Sequence, residues 1–138
     1  MKKLSIYTLL ISIIILGSSQ ISLSQDKQAV IIPKPTDLNA IEFNKMLDND
    51  SIILIDIRTK QEFDAGHIEG AIMIDWYQRY FETAANKLDK NATVLIYCRS
   101  GNRTSKAKYM LIGMGFTDIY NLEFGLNDWL KNGFELVK

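Results

Sequence analysis

Cys98 is the single cysteine of a 138-residue chain. The residues after it, Arg99-Ser100-Gly101-Asn102-Arg103-Thr104, form the stretch whose types and order suit a reaction. An apolar run, Thr93-Val94-Leu95-Ile96-Tyr97, precedes them, and a helical pattern, Ser105 to Ile112, follows. The thiol therefore falls at the end of a strand, on a short polar loop that opens into a helix. Unpaired N–H groups and the positive end of the helix dipole gather at such a place. Together with two arginines they favour a thiolate and lower a cysteine pKa from ~8.5 toward ~3.5–7.5. Most free cysteines are small buried hydrophobes. The polar, glycine-containing loop marks this one as a nucleophile instead. Gly101 provides a turn and lets an N–H approach the sulfur. Ser100 and Thr104 add hydroxyl donors, and Thr104 or Ser105 is expected to cap the helix.

Arg99 and Arg103 alternate along the loop. Both are expected to line its mouth and bind an anion, Arg103 more than Arg99, with solvated surface charge as the plainer reading of each. Asp56 ends an apolar run, and Arg58 and Glu62 lie close behind it. With His67, the only histidine, they read as a structural polar cluster holding the active-site side of the sheet. One cysteine and one histidine exclude a Cys-rich zinc site and an internal disulfide framework.

The elements that must hold this loop alternate between strand and helix, the signature of an α/β sheet covered by helices. Asn39-Ala40-Ile41-Glu42 reads as a capped helix start, with Ile41, Met46 and Leu47 near one face and Phe43 to one side. Ile52 to Ile57 is a nearly continuous apolar run, as expected of a parallel strand buried on both faces. Lys60 to Ala65 is helical, closed by Gly66. Ala71 to Ile74 is a second strand. Asp75 is expected to cap a helix whose apolar face carries Trp76, Tyr77, Tyr80 and Phe81 as core packing. After the Cys98 loop and its helix come a last strand at Asp118 to Leu122 and a closing helix at Leu126 to Lys131.

Sixteen basic and sixteen acidic residues balance. No basic stripe calls for nucleic acid. Met1-Lys2-Lys3, the 13 residues Leu4 to Leu16 and the small residues from Gly17 to Ser24 form the three-part pattern of a secretory signal. The apolar part is shorter than the ~20 residues of a spanning helix. Residues 1–25 are therefore expected to be a cleaved signal peptide, residues 26–36 a linker, and residues 37–138 one domain. Val30-Ile31-Ile32 in the linker can add a short edge strand. Cleavage removes two lysines and no acid, leaving 14 basic and 16 acidic residues and a formal charge of −2. Export to the periplasm or beyond follows, with no membrane span once the signal is gone. A lone thiol there has no partner within its own chain.

Three stretches together resemble the rhodanese-like family. They are Asp56-Ile57-Arg58 with Glu62-Phe63 and Gly66-His67-Ile68-Glu69-Gly70-Ala71; Tyr97 to Thr104; and Gly115-Phe116 with Tyr120-Asn121-Leu122 and Trp129…Gly133. The resemblance spans about residues 37–136 and implies a central parallel sheet of five strands with helices on both faces. It also implies a sulfurtransferase. Cys98 would take the outer sulfur of thiosulfate or a similar donor, with Arg99 to Thr104 cradling the persulfide. A thiol, cyanide or a protein thiol would then remove it. No metal or organic cofactor is implied, and a monomer is expected. The family often has two glycines after the last strand. Phe124-Gly125 stands here, which bears on donor and acceptor preference.

Two other classes compete. A Cys-x5-Arg phosphatase needs arginine six residues after the cysteine, to clamp phosphoryl oxygens. Position 104 is Thr, and Arg103 comes one residue early. An arsenate reductase of related fold is equally remote. A non-enzymatic binding or persulfide-carrier module is the nearer alternative.

Overall fold

The strand that leads into Cys98 is the central strand of a five-stranded sheet. The computed structural model describes residues 33–138, so the expected signal, its cleavage point and the Val30–Ile32 strand lie outside the described residues. Five strands, β1 (Thr36–Leu38), β2 (Ile52–Asp56), β3 (Ile72–Met73), β4 (Thr93–Tyr97) and β5 (Ile119–Leu122), form one sheet in the order β1-β5-β4-β2-β3. Every pairing is parallel. Five helices connect and cover them: α1 (Ala40–Met46), α2 (Lys60–Ala65), α3 (Phe81–Ala85), α4 (Thr104–Gly113) and α5 (Gly125–Lys131).

Side chains alternate across the sheet as the pleat requires. Val94 and Ile96 of β4 join Ile55 and Ile57 in a core closed by Phe81 and Ala85 of α3 and by Ala107 and Leu111 of α4. Leu95 and Tyr97 face the other way, into a core with Phe43 of α1 and Leu126 and Trp129 of α5. Continuing the alternation, Cys98 falls on the α4 side and belongs to the first core. The strand thus aims the thiol at the start of the helix that follows it.

Three local expectations are corrected. In α1 the Asn39–Glu42 capping box forms, but the buried residues are Ala40 and Phe43, and Ile41 is exposed. Phe43 packs edge-on to Trp129, which sets the helix face more firmly than the spacing of its aliphatic residues. Residues 76–80 are turns rather than helix, and α3 begins only at Phe81. Trp76 N–H donates to Ile57 O, while Asp75 accepts from the N–H of Tyr77. These bonds fold the chain into a turn in which Trp76 and Phe81 pack inward and Tyr77 and Tyr80 point to solvent. Finally, Thr36 leaves the expected linker to begin β1, an edge strand aligned with Tyr120–Leu122 of β5.

Candidate active site

Backbone geometry makes the cradle around Cys98. The Gly101 N–H donates to Sγ at 3.2 Å. Gly101 adopts φ +87°, and a Cβ there would overlap the Glu123 carbonyl. Glycine is therefore needed twice, for the left-handed turn and for the close approach of β5's end. Gly125, at φ +59°, is constrained in the same way, since its Cβ would collide with the Cys98 carbonyl. With no side chain in the way, Leu126 N–H donates to Cys98 O at 2.9 Å and Asn127 N–H to Arg99 O at 3.1 Å. The start of α5 thus grips the outer side of the loop while α4 grips its end, Ser105 N–H donating to Gly101 O.

Cys98 is fully buried. Burial pushes its thiol pKa up, but the backbone N–H groups of Thr104, Ser100 and Arg103 and the Thr104 hydroxyl outweigh that, and the net shift is downward. Fixed N–H dipoles, rather than a neighbouring histidine, favour the thiolate. The expected hydroxyl cap is not formed. Arg103 occupies the N-cap position without a side-chain bond. Thr104 Oγ1 donates to Gly101 O at 3.0 Å and lies 3.8 Å from Sγ, and Ser105 Oγ donates to Asn102 O. Both hydroxyls stitch the loop to itself, because a helix start already turned toward an anion leaves its N–H groups for that anion.

The two arginines part company. Arg103 turns back onto α2, where Nη1 and Nη2 each donate to a Glu62 carboxylate oxygen at 2.7 Å. Glu62 also accepts from the Thr59 N–H that begins α2. The Arg103 guanidinium holds the Glu62 carboxyl down at about 2. Tyr77 flanks the same guanidinium, its ring centre 5.7 Å away. Arg99 is exposed and takes part in no ion pair among the described residues. The two arginines thus differ in partner: Arg103 is engaged with Glu62, whereas Arg99 has no ion-pair partner among the described residues. The exposed side chain of Asn102 adds a neutral edge.

The polar cluster divides as well. Asp56 and Arg58 are buried together, with Arg58 Nη2 2.7 Å from Asp56 Oδ2 and 2.7 Å from Gly66 O. Tyr97 Oη accepts from Ile68 N–H, so strand β4 and the Gly66–Ile68 segment are tied beneath the loop. His67 stacks on Phe63 at 3.8 Å, away from Cys98. Glu62 belongs instead with Arg103. Sequence spacing placed all four in one group, because it gives no sign that α2 directs Glu62 toward the thiol loop.

Beside the loop a cleft of about 280 Å³ opens between α2 and α5, walled in part by Arg99, Asn127 and Leu130. A larger one of about 490 Å³ lies beside Trp129 and Phe134 and has no residue of the Cys98 loop in its wall. Phe124 is exposed beside Gly101.

The model of the family described as Rhodanese-like domain matches residues 39–132. The chain belongs to the rhodanese-like family. Among curated relatives, a tRNA uridine(34) hydroxylase of Photorhabdus laumondii is 30% identical over 102 residues, which is 71% of this chain and 29% of that protein. The chain thus spans less than a third of the length of the curated relatives it matches. Among solved structures, a rhodanese-like domain protein of Staphylococcus aureus aligns with TM-score 0.63 and 28% identity over 75% of this chain and 99% of the other. The polysulfide-sulfur transferase homodimer of Wolinella succinogenes aligns with TM-score 0.63 and 28% identity over 74% and 77%. The α/β fold with its all-parallel five-stranded sheet is that of these rhodanese-like neighbours, among them a sulfur transferase.

Proposed function

We propose that this rhodanese-like protein is an exported sulfurtransferase that carries sulfur as a persulfide on Cys98. The observation that carries the reading is a buried thiol whose pKa is nevertheless lowered, by backbone N–H groups of its own loop. Such a group reaches the thiolate more readily than a free cysteine and is surrounded by donors suited to an anion. The Cys98 thiolate attacks the outer sulfur of thiosulfate. The new Sγ–S bond forms as the donor's S–S bond breaks, and sulfite leaves with the bonding pair. The negative outer sulfur then rests among the loop's N–H groups, which serve it as an oxyanion hole serves oxygen. An acceptor nucleophile removes that sulfur and returns Cys98 to the thiolate. Polysulfide, named in the Wolinella neighbour, is a donor of the same chemistry.

The loop favours this reading over a phosphatase, because Arg103 is held by Glu62 and no second loop arginine stands at the helix start to clamp a phosphoryl group. The relatives named for tRNA hydroxylation match this chain over less than a third of their length, so a domain, rather than their whole activity, is what this chain has in common with them. Export rests on the charged start, apolar stretch and small residues of positions 1–25. Recovery of the protein from the cell envelope with a new N-terminus between residues 19 and 26 would support export, and an intact Met1 in the cytoplasm would reject it.

The decisive experiment is mass spectrometry of the protein after thiosulfate alone. One added sulfur on Cys98 is expected, with thiocyanate released when cyanide follows. Cys98→Ser should lose both. Absence of the adduct would move the protein to the binding-module class.

A further inference from the structure

We propose that the cleft between α2 and α5 docks the cysteine-bearing segment of an acceptor protein, with an aliphatic side chain on its leucine wall and an acidic residue on Arg99. This rests on the sulfur-transfer reading above and names the acceptor of that site.

The cleft's chemistry selects the segment. Leu126, Leu130 and Leu136 form its apolar wall, and Arg99 and Asn127 stand at its polar end. Its other charged residues are already engaged, Arg58 by Asp56 and Gly66 and Glu62 by Arg103. Arg99 has no ion-pair partner among the described residues. The fitting occupant is therefore apolar along its body and negative at one end. The cleft also adjoins the reacting loop directly, since Leu126 and Asn127 donate their N–H groups to the carbonyls of Cys98 and Arg99.

Exposed apolar surface around the loop points to a protein rather than a small thiol. Leu130 is 53% exposed, Phe124 beside Gly101 is 55% exposed, and Tyr77 beside Arg103 is 68% exposed. A small anionic thiol needs only Arg99, whereas the leucine wall of the cleft, with Phe124 and Tyr77 exposed elsewhere beside the loop, suits a macromolecular partner. Cys98 is fully buried and lies beyond the cleft wall, so the acceptor thiol must reach past Arg99 into the loop, as a cysteine at the tip of a loop does. In the transfer, the acceptor's thiolate attacks the outer sulfur of the Cys98 persulfide. A new S–S bond forms on the acceptor, the bond to Sγ breaks, and its electron pair returns to Cys98 as thiolate, so no oxidant or reductant is consumed.

The test loads the protein with thiosulfate, verifies the added sulfur by mass, and then measures sulfur transfer to cysteine peptides. One peptide carries Leu and Asp beside the cysteine, and a second replaces Asp with Lys. The Asp peptide should react about tenfold faster, the scale of one charge-assisted contact. Leu130→Glu, an exposed substitution, should remove that preference while transfer to cyanide is unchanged. Arg99→Glu should reverse it in favour of the Lys peptide. Equal rates for both peptides, or indifference to both substitutions, would overturn the proposal. If Cys98 never loads, the sulfur-transfer reading fails on its own, and docking is then read by titrating a Cys→Ser version of the Asp peptide into isotope-labelled protein. Amide shifts at Asn127 and Leu130 would sustain the cleft, and their absence would overturn it.

Discussion

Cys98 is made more acidic by the direction of its hydrogen-bond donors rather than by exposure. Burial raises its pKa, and the backbone N–H groups of Thr104, Ser100 and Arg103 bring it below the ordinary value. The thiolate is the reactive form, so a lowered pKa moves its whole titration to lower pH. The rate of persulfide formation should therefore rise with pH with a midpoint below that of a free cysteine. A midpoint at or above that of a free cysteine would contradict the cradle. The arginines differ in kind. Arg103 is bound to Glu62 through two 2.7 Å bonds, so its removal loosens the loop, and Arg103→Ala should lower turnover more than it raises the thiosulfate KM. Arg99→Ala should do the opposite, raising KM about tenfold, as expected for one lost charge-assisted contact. Kinetics of the two variants side by side decide this. Glu62, held at about 2, keeps its share of loop stability above the usual carboxylate pKa and loses it only as pH falls through that low value.

Strand β4, helix α4 and the start of α5 act on the loop as three walls, and the sequence announced them unequally. The apolar runs of β2 and β4 and the Cys98-to-Thr104 loop were legible, because burial on both faces leaves continuous aliphatic stretches. Residues 76–80 were misread as helix. Aromatic residues at i, i+1, i+4 and i+5 fit a helix face, but the decisive bonds, Trp76 N–H to Ile57 O and Tyr77 N–H to Asp75, depend on a distant strand and a local turn. The Glu62–Arg103 pair was also invisible, since it joins residues 41 positions apart. Phe124-Gly125 drew attention as a departure in the aromatic, whereas the glycine carries the constraint. A Cβ at Gly125 meets the Cys98 carbonyl and lies 2.6 Å from the Arg99 carbonyl carbon. Gly125→Ala should therefore displace the loop and cut persulfide formation at least tenfold, while far-ultraviolet circular dichroism stays native, because α5 needs only local rearrangement. Unchanged loading of the variant would show that the loop tolerates the shift.

At the scale of the whole molecule, the loop depends on an edge of the sheet that never touches it. Lys108 lies one turn beyond Thr104 in α4, and its ammonium donates to both oxygens of Asp37 on edge strand β1, at 2.6 and 2.7 Å. Asn121 of β5 completes the group, its Nδ2 donating to Asp37 Oδ1 at 2.7 Å. Helix α4 is thereby tied across β5 to the strand that begins the described fold. The pair is asymmetric. Lys108 is buried while Asp37 is partly open to solvent. Removing the carboxylate strands a buried cation, whereas removing the cation leaves a carboxylate that water can reach. Loss of one partner of a buried pair costs about 3 kcal/mol or more, and exchange of the charge for an apolar group of similar size costs far less. In urea denaturation Asp37→Ala should lose about 1–2 kcal/mol, less than for a fully buried pair because Asp37 is partly open to solvent, and Lys108→Met clearly less. The double variant should resemble Lys108→Met, since the stranded charge is gone. The Asp37 pKa sits below its ordinary value, because the bonds from Lys108 and Asn121 outweigh the opposing effect of burial. The pair's contribution is therefore present above the usual carboxylate range and fades as pH falls through the lowered value. Equal losses for Asp37→Ala and Lys108→Met at neutral pH would mean that the ammonium reaches water once unpaired, and that β1 is held to α4 by the hydrogen bonds of the sheet alone.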